Sequence, residues 1–116
     1  YMGTKAGIDH VIRTVANEFG ERGIRANSIS PGLTASPMTK DAMAAPGLEQ
    51  PYLREDPLGR IGTSQDIAAM AVFLCSDECF LSGQNLQVNG GLTLRRNPRS
   101  ADIEASVAQA MAKLEN

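Results

Sequence analysis

Two short strand-like runs, residues 24–30 and 84–88, each end in a glycine turn: Pro31-Gly32 after the first, Asn89-Gly90-Gly91 after the second. In the second run Leu86 and Val88 alternate with polar residues, the period of a half-buried strand. Each run is preceded by a helical apolar period. Ile8, Val11, Ile12, Val15, Ala16 and Phe19 form one face before the first, with Gly20 and Gly23 punctuating its end; Ile67, Met70, Ala71 and Leu74 form another before the second. Strands that alternate with amphipathic helices pair in parallel, because each crossover brings the chain back in the same direction. The pattern therefore predicts an α/β layer structure. Two strands are too few for such a sheet to stand alone, so further strands are expected from chain preceding Tyr1.

Residues 33–62, between these units, read differently. Pro37, Pro46, Pro51 and Pro57 interrupt them, with Met38, Met43, Leu48, Tyr52 and Leu53 scattered between. No strand is predicted here, and a short helix fits residues 38–45. A connection of this length with apolar content reads as a lid over a binding site. Thr63 and Asp66 then have the spacing of a capping box. After the basic breaker Arg95-Arg96-Asn97-Pro98-Arg99, a tail helix is predicted from Ser100. Its stripe of Ile103, Val107, Met111 and Leu114 docks either on its own domain or on a neighbouring subunit. This divides the chain into residues 1–92, with the lid at 33–62, and a helical extension over 93–116.

Composition narrows the function classes. The 116 residues are 42% hydrophobic and 21% charged, so a packed core is expected rather than disorder. A net charge of -2, with both signs dispersed, gives no basis for nucleic acid or an anionic membrane as partner. No apolar run reaches the ~20 residues of a membrane span, and residues 1–5 lack the apolar stretch of a signal peptide. Cys75 and Cys79 are four apart and would share a face on a continuous helix; they read as free thiols of a reducing cytoplasm, with a redox pair as the alternative. The single histidine, His10, is distant from them and reads as an ordinary helix residue, so no metal site is expected. Arg60 reads as a hydrogen-bonding residue at the base of the lid, with an anionic substrate as the alternative. Met38 and Met43 either line an apolar pocket or simply pack.

Tyr1 and Lys5 are the candidate chemical pair, although tyrosine and lysine at this spacing also recur on helices with no chemical role. Their Tyr-x-x-x-Lys spacing places both side chains on one helix face. A phenol with a pKa near 10 is a poor proton carrier at neutral pH, and bringing it to about 7 requires roughly 4 kcal/mol. An ammonium about 4 Å away supplies roughly that much at an effective dielectric of about 20. The pair suits proton exchange with an alcohol oxygen.

The same chain carries a series of short motifs in order. After Tyr1-Met2-Gly3-Thr4-Lys5-Ala6-Gly7 come Ala26-Asn27-Ser28-Ile29-Ser30-Pro31-Gly32, Gly59-Arg60-Ile61-Gly62, Asp66-Ile67-Ala68, Phe73-Leu74-Cys75-Ser76-Asp77, Ser82-Gly83-Gln84 and Val88-Asn89-Gly90-Gly91. Their order and spacing resemble the short-chain dehydrogenase/reductase family from its catalytic tyrosine onward, over residues 1–92. The resemblance implies the C-terminal half of a Rossmann-type doubly wound parallel sheet, in three α/β/α layers. It implies hydride transfer between NAD or NADP and an alcohol or ketone. Tyr1 would be the general acid/base, and Lys5 would lower its pKa and bind the nicotinamide ribose. Pro31 and Gly32 would lie against the nicotinamide, Thr34 would hold the carboxamide by its main chain, and Ser36 would contact the carboxamide or pyrophosphate.

The resemblance also implies a cytoplasmic homodimer or homotetramer. The chain departs from the family pattern in holding no glycine-rich phosphate loop, no selector of NAD against NADP and no catalytic serine or supporting asparagine, all of which would precede Tyr1. Asn89 stands where aspartate is more usual. The alternative is a non-catalytic product serving as an oligomerisation or interaction module; a third arrangement has a separate chain completing the sheet.

Overall fold

The computed structural model describes residues 2–95 and 98–115. Helix α1 spans Met2–Phe19 and tightens into a 3-10 turn at Gly20–Arg22. Gly23 then adopts φ 76°, and its N–H caps the turn at the Gly20 carbonyl, 2.9 Å away. A side chain at this left-handed position would be strained, which is why the punctuation predicted here is a glycine.

Strand β1 is Ser28–Pro31, shorter at its start than the predicted 24–30. The preceding side chains are engaged sideways. The Arg25 guanidinium donates to the Leu74 and Ser76 carbonyls at 2.6 and 3.0 Å, and Asn27 Nδ2 donates to the Leu81 carbonyl at 2.9 Å. Strand β4, Asn85–Val88, runs parallel to β1 in the register Ser28↔Asn85 to Pro31↔Val88. The expected parallel α/β pairing is therefore present.

The lid is more ordered than its prolines suggested. Strand β2, Thr34–Ala35, pairs in parallel with β3, Gly62–Thr63, so the expectation of no strand fails there. A two-residue ladder leaves no alternating pattern to read. The helix expected at 38–45 contracts to α2, Lys40–Met43. An unpredicted helix, α3, spans Glu49–Glu55 with Pro51 buried in its first turn. Proline is tolerated there because N–H groups of the first turn have no partner within the helix.

Helix α4, Ser64–Leu74, starts from the predicted capping box: Thr63 Oγ1 accepts the Asp66 N–H at 3.3 Å while the Asp66 carboxylate accepts the Thr63 N–H at 2.8 Å. It ends before Cys75, so Cys75 and Cys79 do not share a helix face; Cys75 is exposed, Cys79 is buried, and both are free thiols. Helix α5, Ser100–Glu115, packs against α3 of the same chain. Just before α3, Gly47 lies against the small residues Ser106 and Ala110 of α5. Met111 and Leu114 of the predicted stripe stay 46% and 71% exposed.

The packed core expected from composition is thin. Among described residues the buried apolar side chains are Pro51, Cys79 and Leu92, while Phe80, Val72 and Val11 are 100%, 72% and 59% exposed. The radius of gyration is 17.7 Å, against about 13 Å for a globular domain of this length. Two narrow sheets give the helices too little surface to cover their apolar faces.

Candidate functional site

Parallel strands direct their carbonyl ends to one edge, and the turns leaving that edge are where α/β folds place ligands. Pro31 is the last residue of β1 and Gly32 the first of the turn. The approach of this turn to β4 is close: a Cβ at Gly32 would stand 2.8 Å from Asn89 Cβ. Asn89 in turn accepts the Gly91 N–H on its Oδ1 at 3.0 Å, a bond that an aspartate would make with the same oxygen.

Lys5 is exposed on α1, and it lines a cleft of about 240 Å³ together with Asp9, Ser28, Ile29, Ser30 and Pro31. Two expected site residues far apart in sequence, Lys5 and Pro31, thus meet in one cleft along β1. Tyr1 lies outside the described residues.

Thr34 and Ser36 continue from the turn. Thr34 Oγ1 donates to the Gly32 carbonyl at 3.0 Å. Thr39 ties the segment together: its hydroxyl donates to the Thr34 carbonyl at 2.7 Å and accepts the Ser36 N–H at 3.0 Å. The Ser36 and Thr39 hydroxyls are 3.3 Å apart. Ser36 faces a second, open hollow of about 530 Å³ with Ala35, Pro37, Lys40, Met43 and Ala44. The expected residues therefore fall in two neighbouring groups, Lys5 with Pro31 and Thr34 with Ser36, joined through Gly32. Met43 lines the hollow, whereas Met38 is 93% exposed.

Beside the Lys5 cleft is a polar network that sequence reading missed. Ser28 Oγ donates to Asp9 Oδ1 at 2.9 Å, and Asn85 Nδ2 lies 2.9 and 2.8 Å from the Ser28 and Ser30 hydroxyls. Asp9 was findable, standing four residues after Lys5 on one helix face. Asn85 was not, because its partners follow from the strand register alone.

At the lid base, Arg60 is engaged with protein: Nη1 and Nη2 donate to the two Asp66 carboxylate oxygens at 2.7 and 2.8 Å. Hydrogen bonds from Arg60, then from the Thr63 backbone, hold the Asp66 carboxyl well below the usual carboxylate range. The structural reading of Arg60 fits this geometry. His10 is exposed on α1. Among the described residues no cluster of His, Cys, Asp or Glu suits a metal ion, and no helix is long and apolar enough to cross a membrane.

A helix-flanked parallel strand pair with a lysine-lined cleft along β1 defines an α/β layer, and comparison with known proteins identifies its family. Residues 1–93 match the family model described as Enoyl-(Acyl carrier protein) reductase. The chain is 41% identical over 92 residues to 7alpha-hydroxysteroid dehydrogenase of Escherichia coli K12, covering 78% of this chain and 36% of that protein. It is 38% identical over 95 residues to 3beta-hydroxysteroid dehydrogenase 1 of Eggerthella lenta, covering 81% and 36%.

Among solved structures, a short-chain type dehydrogenase/reductase from Mycobacterium ulcerans aligns with TM-score 0.81 and 37% identity over 97% of this chain and 42% of that one. A 4-hydroxyisoleucine dehydrogenase complexed with NADH gives 0.78 and 31%, over 83% and 40%. An Agrobacterium tumefaciens structure with bound NADP gives 0.76 and 35%, over 82% and 39%. The chain belongs to the short-chain dehydrogenase/reductase family and carries part of its doubly wound α/β fold. It spans 36% of the length of these two curated relatives.

Proposed function

We propose that the protein carrying this chain is an NAD(P)-dependent oxidoreductase acting on an alcohol or its ketone. The observation that carries this reading is the convergence of Lys5 and Pro31 on one cleft along β1. The set suits a nicotinamide riboside: an ammonium for ribose hydroxyls, a turn at Pro31 and Gly32 for the ring to rest against, the Thr34 main chain for the amide, and the Ser36 hydroxyl for an amide or phosphate. When bound, the nicotinamide supplies or receives the hydride.

The rest falls to residues of the chain. Tyr1 exchanges a proton between its phenol oxygen and the substrate oxygen. Lys5, four residues on, favours the phenolate and holds the ribose. Pro31 and Gly32 form the wall against which the ring rests, the Thr34 backbone holds the carboxamide, and Ser36 reaches the carboxamide or pyrophosphate. Residues 33–62 cover the substrate, and the apolar hollow beside Met43 supports an apolar alcohol or ketone. Residues 93–116 serve as a helical extension to the nucleotide-binding part. The names of the relatives do not favour a non-catalytic module. A homodimer or homotetramer in the cytoplasm is the setting we assign, in keeping with two free thiols and broad uncovered apolar surface.

The test is turnover of the full-length protein, followed by nicotinamide absorbance. Tyr1→Phe should lower kcat by about 10²–10⁴-fold and leave cofactor Kd unchanged. Lys5→Ala should damage both. Wild-type kcat in Tyr1→Phe would remove the assignment.

A further inference from the structure

Helix α5 packs on the lid along α3 and is hydrogen-bonded to the turn before it. Ser106 is one of the few buried residues among those described, and its hydroxyl donates to the Gly47 carbonyl at 2.7 Å. Gly47 has φ +82°, and a Cβ there would collide with the Ser106 carbonyl and stand 3.0 Å from Ala110 Cβ. Only glycine lets the lid backbone lie this close to the helix. At the far end of α3 the tie is to a different segment: Arg95, five residues before α5, donates to the Arg54 carbonyl at 3.1 Å. Residues 47–55 are thus held at both ends, by α5 at Gly47 and by Arg95 at Arg54.

Packing alone does not explain the serine. Alanine would fill the same space and is the better helix former. The hydroxyl's contribution is its bond to a lid carbonyl that the helix does not otherwise reach. The hollow beside Ser36 is lined as far along the chain as Ala44, three residues before Gly47, so the turn that Ser106 holds lies next in sequence to the hollow's wall.

We infer that Ser106 is a positioning residue of the lid, acting through Gly47 to fix the α2–α3 turn and so the size of substrate that the hollow admits. The part concerning substrate rests on the dehydrogenase reading above; the mechanical part does not.

The experiment is amide hydrogen exchange on the full-length protein, wild type against Ser106→Ala, Gly47→Ala and the double variant. Loss of one hydrogen bond corresponds to about fivefold faster local opening. Ser106→Ala should speed exchange at residues 52–55 by about that factor and leave α1 and the β1–β4 pair unchanged. Gly47→Ala should act at the same amides, and the double variant should not exceed the larger single effect, since both act through one contact. In turnover, Ser106→Ala should raise the KM for the alcohol severalfold while the KM for the cofactor and kcat stay within twofold, about the scatter of such comparisons. Unchanged exchange at 52–55 in Ser106→Ala, or acceleration spread equally over the chain, overturns the inference. A wild-type protein with no turnover would instead sink the dehydrogenase reading, and the exchange result would still decide the role of Ser106.

Discussion

Gly32 occupies the tightest point of the site, where the turn after β1 meets Asn89. Gly32→Ala would place a methyl 2.8 Å from Asn89 Cβ and push apart the carboxyl ends of β1 and β4. Such overpacking costs about 1–3 kcal/mol, and denaturant unfolding of the full-length protein should show it. Because the displaced segment is the proposed nicotinamide wall, cofactor affinity should weaken in the same variant. Arg25 is a different case. It bonds the carbonyls of Leu74, the last residue of α4, and of Ser76 just beyond, where the helix dipole favours a cation. Arg25→Ala should cost about 1.5–3 kcal/mol, the range for hydrogen bonds to charged groups, and Arg25→Lys should recover only part of it.

Helix α4 shows how much of an element is legible in sequence. Thr63 and Asp66 announced its start by spacing, and the structure realises both bonds of the box. The folded state depresses the Asp66 carboxyl below its unfolded value of about 4, so the stabilisation is present above that pH and fades as pH falls further through the folded value. Melting temperatures recorded downward from pH 5 should therefore decline, and Asp66→Asn should flatten that decline while lowering stability at neutral pH. High salt should weaken the effect, since the Arg60 side chain is 58% exposed.

The parallel pairing of β1 with β4 and the tail helix were equally readable, because each carries a periodic pattern. Helix α3 was hidden by Pro51, which usually signals a break. The β2–β3 ladder and the Thr39 hub were hidden because contacts between distant short segments leave no local trace. At the site, Lys5 and Pro31 were identified from motif spacing, whereas Asn85 depends on register.

The whole molecule exposes 8445 Å², against about 6,100 Å² for a globular monomer of this mass. Large apolar side chains, Phe80, Val72 and Leu94 among them, are exposed on it. The 116-residue polypeptide on its own should therefore bind a hydrophobic dye strongly and unfold without a sharp thermal transition. It should also fail to bind NAD or NADP at micromolar concentration by calorimetry, since residues 1–116 hold no Gly-x-Gly-x-x-Gly loop for the phosphates. Micromolar binding would mean that Lys5, the Pro31 turn and Ser36 suffice. The β1–β4 pairing has a consequence for synthesis. Ser28 waits for Asn85, 57 residues later, and at translation rates of about 5–20 residues per second that delay is roughly 3–11 s. Throughout it the β4-facing edge of β1 is an open template on the nascent chain, and how fast ribosomes traverse the lid codons sets how long it stays open to wrong partners.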